Sequence, residues 1–147
     1  MMKIVVGCDP NAQEAKEKII HYIEKKGYGE VTDLGSEDPI YAHVAIALAE
    51  KVAAKEYDLG ILICGTGIGV SIAANKVKGA YAALVSDVYS AERARLSNDA
   101  NIACMGAFTV GEKVREQMVD AFLGNRFVPN CPSQPKVDAF VAYDLER

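Results

Sequence analysis

The chain has 147 residues, half of them apolar, and a formal charge of −4. That length suits a single domain, residues 1–147, with a real buried core, and the even spread of apolar residues argues against disorder. The acidic balance without a basic stripe argues against nucleic acid as the main partner, and no apolar run approaches the length of a membrane span.

The amino-terminal MMKIVVG has no cleavage-type small-residue site, so it reads as a first strand rather than a signal peptide. Lys3–Gly7 is that strand, and Cys8-Asp9-Pro10-Asn11 is the turn leaving it. A helix is predicted over Ala12–Lys26, with Ala12, Ala15, Ile19 and Ile23 on one face and His21 on the solvated one. Gly27 and Gly29 stop it, and Glu30–Leu34 supplies a second strand. Ser36–Ile40, with Pro39, reads as a loop. A helix over Tyr41–Lys55 follows, its buried stripe marked by Val44, Leu48 and Val52. Tyr41 and His43 fall in its first turn, where each either lines a pocket or packs.

Leu59–Cys64 is an unbroken apolar run, as expected of a parallel strand buried on both faces. The next residues, Gly65, Thr66, Gly67, Ile68 and Gly69, lead into a helix predicted over Val70–Lys76. A strand, a glycine-rich loop and a helix in that order aim backbone N–H groups at an anion. Cys64 ends the strand beside those donors, in surroundings that favour a thiolate. Downstream, Ala80–Val85 is a fourth strand, Asp87–Ser97 a polar helix, Ile102–Met105 a fifth strand and Glu112–Leu123 a helix. Asn125–Pro135 reads as a crossing segment. The last helix, Lys136–Leu145, carries the stripe Val137, Phe140, Val141 and Leu145, which docks on its own core or on a second subunit.

Strands alternating with helices give a Rossmann-like or flavodoxin-like α/β sandwich with a five-stranded parallel sheet. Ligands of such sheets bind outside the carboxyl ends of the strands where the order reverses, here next to Cys8-Asp9 and Cys64-Gly65. The glycine pattern is neither the dinucleotide fingerprint nor a Walker loop, because it follows the third strand and lacks a closing Lys-Ser/Thr. Four dispersed cysteines suit a reducing cytoplasm better than a disulfide framework, and with two separated histidines they give no metal cluster.

The motifs GCD at Gly7–Asp9, ICGTGIGVSIAANK at Ile63–Lys76, YSAERARLSNDAN at Tyr89–Asn101 and the MG…VG spacing at Met105–Gly111 resemble the ribose-5-phosphate isomerase type B / galactose-6-phosphate isomerase family. The resemblance covers nearly the whole chain. It implies a Rossmann-like fold, no metal or other cofactor, and a homodimer or dimer of dimers with shared sites, the tail 125–147 lying at the interface. It also implies aldose–ketose isomerisation of a sugar phosphate through a cis-enediolate. On that resemblance Cys64 is the base that moves the proton. Thr66 and the N–H groups of Gly65, Gly67, Ile68 and Gly69 hold the enediolate oxygen. Asp9 and Asn98 orient substrate hydroxyls, Asn98 coming from the partner. Independently, proton abstraction beside a carbonyl needs a tuned base and preset oxyanion donors, the latter worth about 3 kcal/mol.

The departures from the family pattern bear on substrate. Ser97 stands where a ring-opening histidine is usual, Pro10 where a histidine follows the first-strand aspartate, and Phe108 and Pro132 where arginines are usual. Lys136 holds the place of a further arginine, and loss of bidentate arginines is not neutral. Arg93 and Arg95 are candidates to replace them. The branch resembling tetrulose-4-phosphate isomerases shares SAERxxLSN without the histidine. A four-carbon ketose phosphorylated at its last oxygen cannot close a furanose ring, so Ser97 favours an open-chain substrate. Competing readings are an isomerase of an unphosphorylated sugar, a non-catalytic sugar-phosphate-binding subunit of a hetero-oligomer, and a flavodoxin-like signalling module.

Overall fold

The computed structural model describes residues 1–35 and 37–147; Ser36, the first residue of the expected polar loop, lies outside the described residues. Five strands form one parallel sheet: β1 (Lys3–Cys8), β2 (Glu30–Asp33), β3 (Leu59–Cys64), β4 (Ala82–Leu84) and β5 (Ile102–Gly106), in the order β2-β1-β3-β5-β4. β1, β3 and β5 are buried along almost their whole length, which their unbroken apolar sequences require. The two edge strands are the short ones, four and three residues, with half-exposed side chains.

Among the described residues six α-helices accompany the sheet: α1 (Gln13–Lys26), α2 (Tyr41–Ala53), α3 (Ile68–Ala74), α4 (Val88–Leu96), α5 (Glu112–Leu123) and α6 (Gln134–Glu146). Alternation along each strand divides the core in two. Ile4, Val6, Ile61, Ile63 and Met105 pack against Ile19 and Ile23 of α1, Ala91 of α4 and Phe122 of α5. Val5, Leu62, Cys64, Ile102 and Cys104 pack against Leu48 and Val52 of α2 and Val70 of α3. The chain passes from β1 outward to β2, then back across to β3, so β1 and β3 flank the reversal point. Their register pairs Cys8 with Ile63 and Cys64 with Gly106, which brings the carboxyl ends of β1, β3 and β5 level.

Most elements differ from the expected bounds by one or two residues, and three differences have a visible cause. The turn after β1 is a short 3-10 helix, Pro10–Ala12, capped by the Asp9 carboxylate accepting from the Asn11 N–H at 2.8 Å. α3 begins at Ile68, two residues early, so Gly69 lies inside its first turn rather than in the loop. β4 is shortened because Ala80 and Tyr81 leave the ladder: the Ala80 N–H donates to Val77 O and the Tyr81 N–H to Asn101 Oδ1. The predicted stripe of α6 is only partly buried. Val137 is enclosed and Phe140 tilts against the Tyr81 ring at 5.5 Å, but Leu145 is exposed. The other buried residue of that helix is Asp144, whose carboxylate accepts from the Gly79 N–H and the Tyr81 hydroxyl, both at 2.8 Å. No helix among the described residues is long and apolar enough to cross a membrane.

Candidate active site

Cys64 is the last residue of β3, 6 % exposed, and its Sγ accepts a hydrogen bond from the Gly67 N–H at 3.0 Å. That contact depends on Gly67 being glycine. Its φ is +81°, a region side chains avoid, and a Cβ there would come within 2.9 Å of the Met105 backbone. One residue on, the Ile68 N–H donates to Thr66 Oγ1 at 3.2 Å. Two of the N–H groups of the loop are therefore engaged by its own side chains. Gly69 and Val70, in the first turn of α3, have no intrahelical acceptor for theirs.

Tyr41 opens α2 and lays its hydroxyl against Gly69, so closely that a Cβ at that position would overlap the phenol. Among the described residues this hydroxyl has no hydrogen-bond partner, which leaves it available at the mouth of the loop. Asp9 is joined to the neighbouring strand, its N–H donating to Ile63 O at 2.9 Å. The third wall comes from the loop after β5. The Ala107 N–H donates to Cys64 O and the Phe108 N–H to Gly65 O, at 2.8 and 2.9 Å, and the Phe108 ring lies over Gly65 while remaining 74 % exposed. The structure thus gathers Asp9, Tyr41, Cys64, Gly65, Thr66, Gly67, Ile68 and Gly69 at one crevice.

It does not bring Asn98 or Lys136 there. Asn98 lies between the end of α4 and β5, hence toward the amino ends of the strands. It lines a groove of about 470 Å³ beside β4 with Arg93, Ser90 and Phe140. Lys136 is exposed on α6. His43 faces a different groove beside β2, with Nδ1 3.0 Å from Asp38 Oδ2. The Ile40 N–H and then His43 hold the Asp38 carboxyl below its usual range. Arg95, one candidate to replace lost arginines, is committed to the fold: it donates to Asp99 and to Ala100 O and lies 5.8 Å from the Phe122 ring centroid.

Arg115 is the supporting residue that apolar periodicity missed. It sits on the buried stripe of α5 with Met118, Val119 and Phe122, and donates to Ala107 O and Val110 O, bracing the loop that covers Cys64. An arginine at helical spacing within an apolar stripe is the signal that could have found it. Cys104, buried behind Cys64 on the same face of the sheet, has its thiol pushed up by burial, which keeps it neutral. No group of three His, Cys, Asp or Glu side chains among the described residues could hold a metal ion.

The sequence profile of the ribose/galactose isomerase family matches residues 4–140. A ribose-5-P isomerase B of Listeria innocua is 44 % identical over 149 residues, covering 99 % of each chain. A D-erythrulose-4-phosphate isomerase 2 of Mycolicibacterium smegmatis is also 44 % identical, over 152 residues and 97 % of each chain. Among solved structures, the ribose-5-phosphate isomerase B of Clostridium thermocellum superposes with a TM-score of 0.91 at 36 % identity, over 99 % of each chain.

Proposed function

The chain belongs to the ribose/galactose isomerase family, and from that premise we propose that this aldose–ketose isomerase acts on a short open-chain sugar phosphate, a tetrulose 4-phosphate in preference to ribose 5-phosphate. The observation that carries the reading is the Cys64 thiol at the reversal point of the sheet, with the Gly67 N–H directed at its sulfur.

Cys64 as thiolate removes the proton from the hydroxyl-bearing carbon next to the carbonyl. The C–H electrons form the carbon–carbon double bond, and the carbonyl electrons move to oxygen, giving the cis-enediolate. The Cys64 thiol, its proton exchanging with solvent in the enediolate state, then protonates the neighbouring carbon, and transfer of a hydroxyl proton between the two oxygens completes the isomerisation. Thr66 and the backbone around Gly65–Gly69 receive the developing oxyanion, and Asp9 and Tyr41 align the substrate hydroxyls at the crevice mouth. Asn98 and Lys136 act on the site of a partner subunit in a homodimer or dimer of dimers. The position of Asn98 beside β4, away from its own Cys64, and the exposure of Lys136 on α6 support this, as do the exposed apolar side chains of Ile72, Tyr89 and Phe108.

The preference for four carbons follows from Ser97. An open-chain substrate needs no group to open a ring, and Ser97 offers only a hydroxyl, which accepts from Arg93 Nε at 2.7 Å. The M. smegmatis relative named for erythrulose 4-phosphate supports this; the L. innocua relative, equally similar, supports ribose 5-phosphate as the second reading. Steady-state kinetics on both sugars decide between them: kcat/KM is expected to be higher for D-erythrulose 4-phosphate, and a reversed ratio would overturn the preference. Turnover in D2O is expected to place deuterium on the carbon that receives the proton, and product wholly free of deuterium would argue for hydride transfer instead.

A further inference from the structure

Arg93 lines the groove beside β4, and its two terminal nitrogens have no hydrogen-bond partner among the described residues. Its Nε is fixed on Ser97 Oγ at 2.7 Å, one helical turn on. The nearest carboxylate oxygen to Nη1, Glu92 Oε1, is 3.9 Å away, beyond hydrogen-bonding distance. The exposed amide of Asn98 stands in the same groove, also without a hydrogen-bond partner among the described residues. Ser90, a further polar group there, is committed to Asp87. The floor is apolar, made by Ala83, Val85 and Phe140. Two other arginines near this part of the fold are occupied: Arg95 on Asp99 and Ala100 O, Arg147 on Asp144.

A guanidinium held at Nε and open at Nη1 and Nη2 is a fork ready for a tetrahedral oxyanion, which it can bind through two parallel hydrogen bonds. We propose that Arg93 is the residue that grips the anionic end of the substrate, and that Ser97 is its positioning residue. The assignment rests on the isomerase reading above, in which Asn98 of this groove reaches substrate. It gives position 97 a purpose of its own: the hydroxyl accepts from Nε and thereby turns the fork into the groove. A phosphate on the fourth carbon lies nearer the reacting carbons than one on the fifth, so Arg93 would set substrate length as well as charge.

The test compares the wild-type enzyme with Arg93→Ala, Arg93→Lys, Ser97→Ala and Ser97→Thr, by kinetics on D-erythrulose 4-phosphate and by the thermal shift that inorganic phosphate produces. Arg93→Ala is expected to raise KM on the order of 30-fold while kcat falls far less, and to lose protection by phosphate. Arg93→Lys recovers part of both, because an ammonium keeps the charge without the fork. Ser97→Thr keeps the wild-type KM and Ser97→Ala raises it, a pattern that a merely structural serine would not give. An Arg93→Ala enzyme that is folded, with KM and phosphate protection unchanged, would overturn the proposal while leaving the isomerase reading intact. A wild-type protein that turns over neither sugar phosphate, yet is protected by phosphate through Arg93, would support the anion site and remove the isomerase reading.

Discussion

At the carboxyl end of β3, the loop carrying Cys64 is wedged against the Met105 backbone, the Tyr41 phenol and the Phe108 ring. The edge strand β4, three residues long, is instead tied by side chains. Asn75 exchanges two hydrogen bonds with Ala82, Asn101 bonds Tyr81 N–H and Gly79 O, and Asp144 accepts from Gly79 and Tyr81. The central crevice owes its shape to close packing that excludes larger residues. The edge owes its shape to polar groups, some of which titrate. A site assembled from one region of each kind would have a fixed reacting end and an adjustable binding end.

The sharpest way to break this contrast is Gly67→Ala. The new methyl would meet the Met105 backbone, and the positive φ would be strained, so the loop must move and the Gly67 N–H must leave the Cys64 sulfur. A loss of about 2 kcal/mol in urea unfolding and on the order of a hundredfold in kcat is expected. A stable, fully active variant would show that packing does not shape the loop.

A smaller effect is expected at the edge, and it should depend on pH. The Gly79 N–H is the main group holding the Asp144 carboxyl below its usual range, followed by Tyr81 and Arg147. A folded-state value below the unfolded one contributes stability that is present above about pH 4 and lost as pH falls through the folded value. Tyr81 behaves in the opposite sense: burial first, then the bond to Asp144, pushes its hydroxyl up to about 12. Its contribution is present below about pH 10 and is lost as pH rises toward 12. Urea midpoints of the wild type are expected to fall at both extremes. Asp144→Asn should flatten the acid limb and Tyr81→Phe the alkaline one, and limbs unchanged in both variants would refute the role given to these groups. The smallest effect belongs to metal removal. With no cluster of three metal-ligating side chains among the described residues, EDTA is expected to leave turnover unchanged.

The same contrast explains what could be read from the sequence. β3 runs over the expected Leu59–Cys64, and β1 and β5 each extend one residue past their expected ends, because two-sided burial leaves an unbroken apolar run. The crevice followed from the glycines and the strand-end thiol. β4 was expected to be longer because Ala80 and Tyr81 are apolar enough for a strand; what removes them from the ladder is donation by the Ala80 N–H to Val77 O and by the Tyr81 N–H to Asn101 Oδ1, twenty residues away. The early start of α3 was hidden because Gly69 looks like a loop residue, whereas it is the space that Tyr41 occupies. Arg115 and Asp144 are polar groups buried by their partners, which hydropathy periodicity cannot register. The same blindness made Arg93 and Arg95 look equivalent, although one faces a groove and the other is spent inside the fold.

The account turns most directly on Cys64. Cys64→Ser changes one atom and little volume, so circular dichroism and the urea midpoint should stay close to those of the wild type. Loss of the proton-transferring group is expected to lower kcat on D-erythrulose 4-phosphate by three orders of magnitude or so. A folded Cys64→Ser enzyme that still exchanges the aldose and ketose at near wild-type rates would contradict the central claim that this thiol is the base.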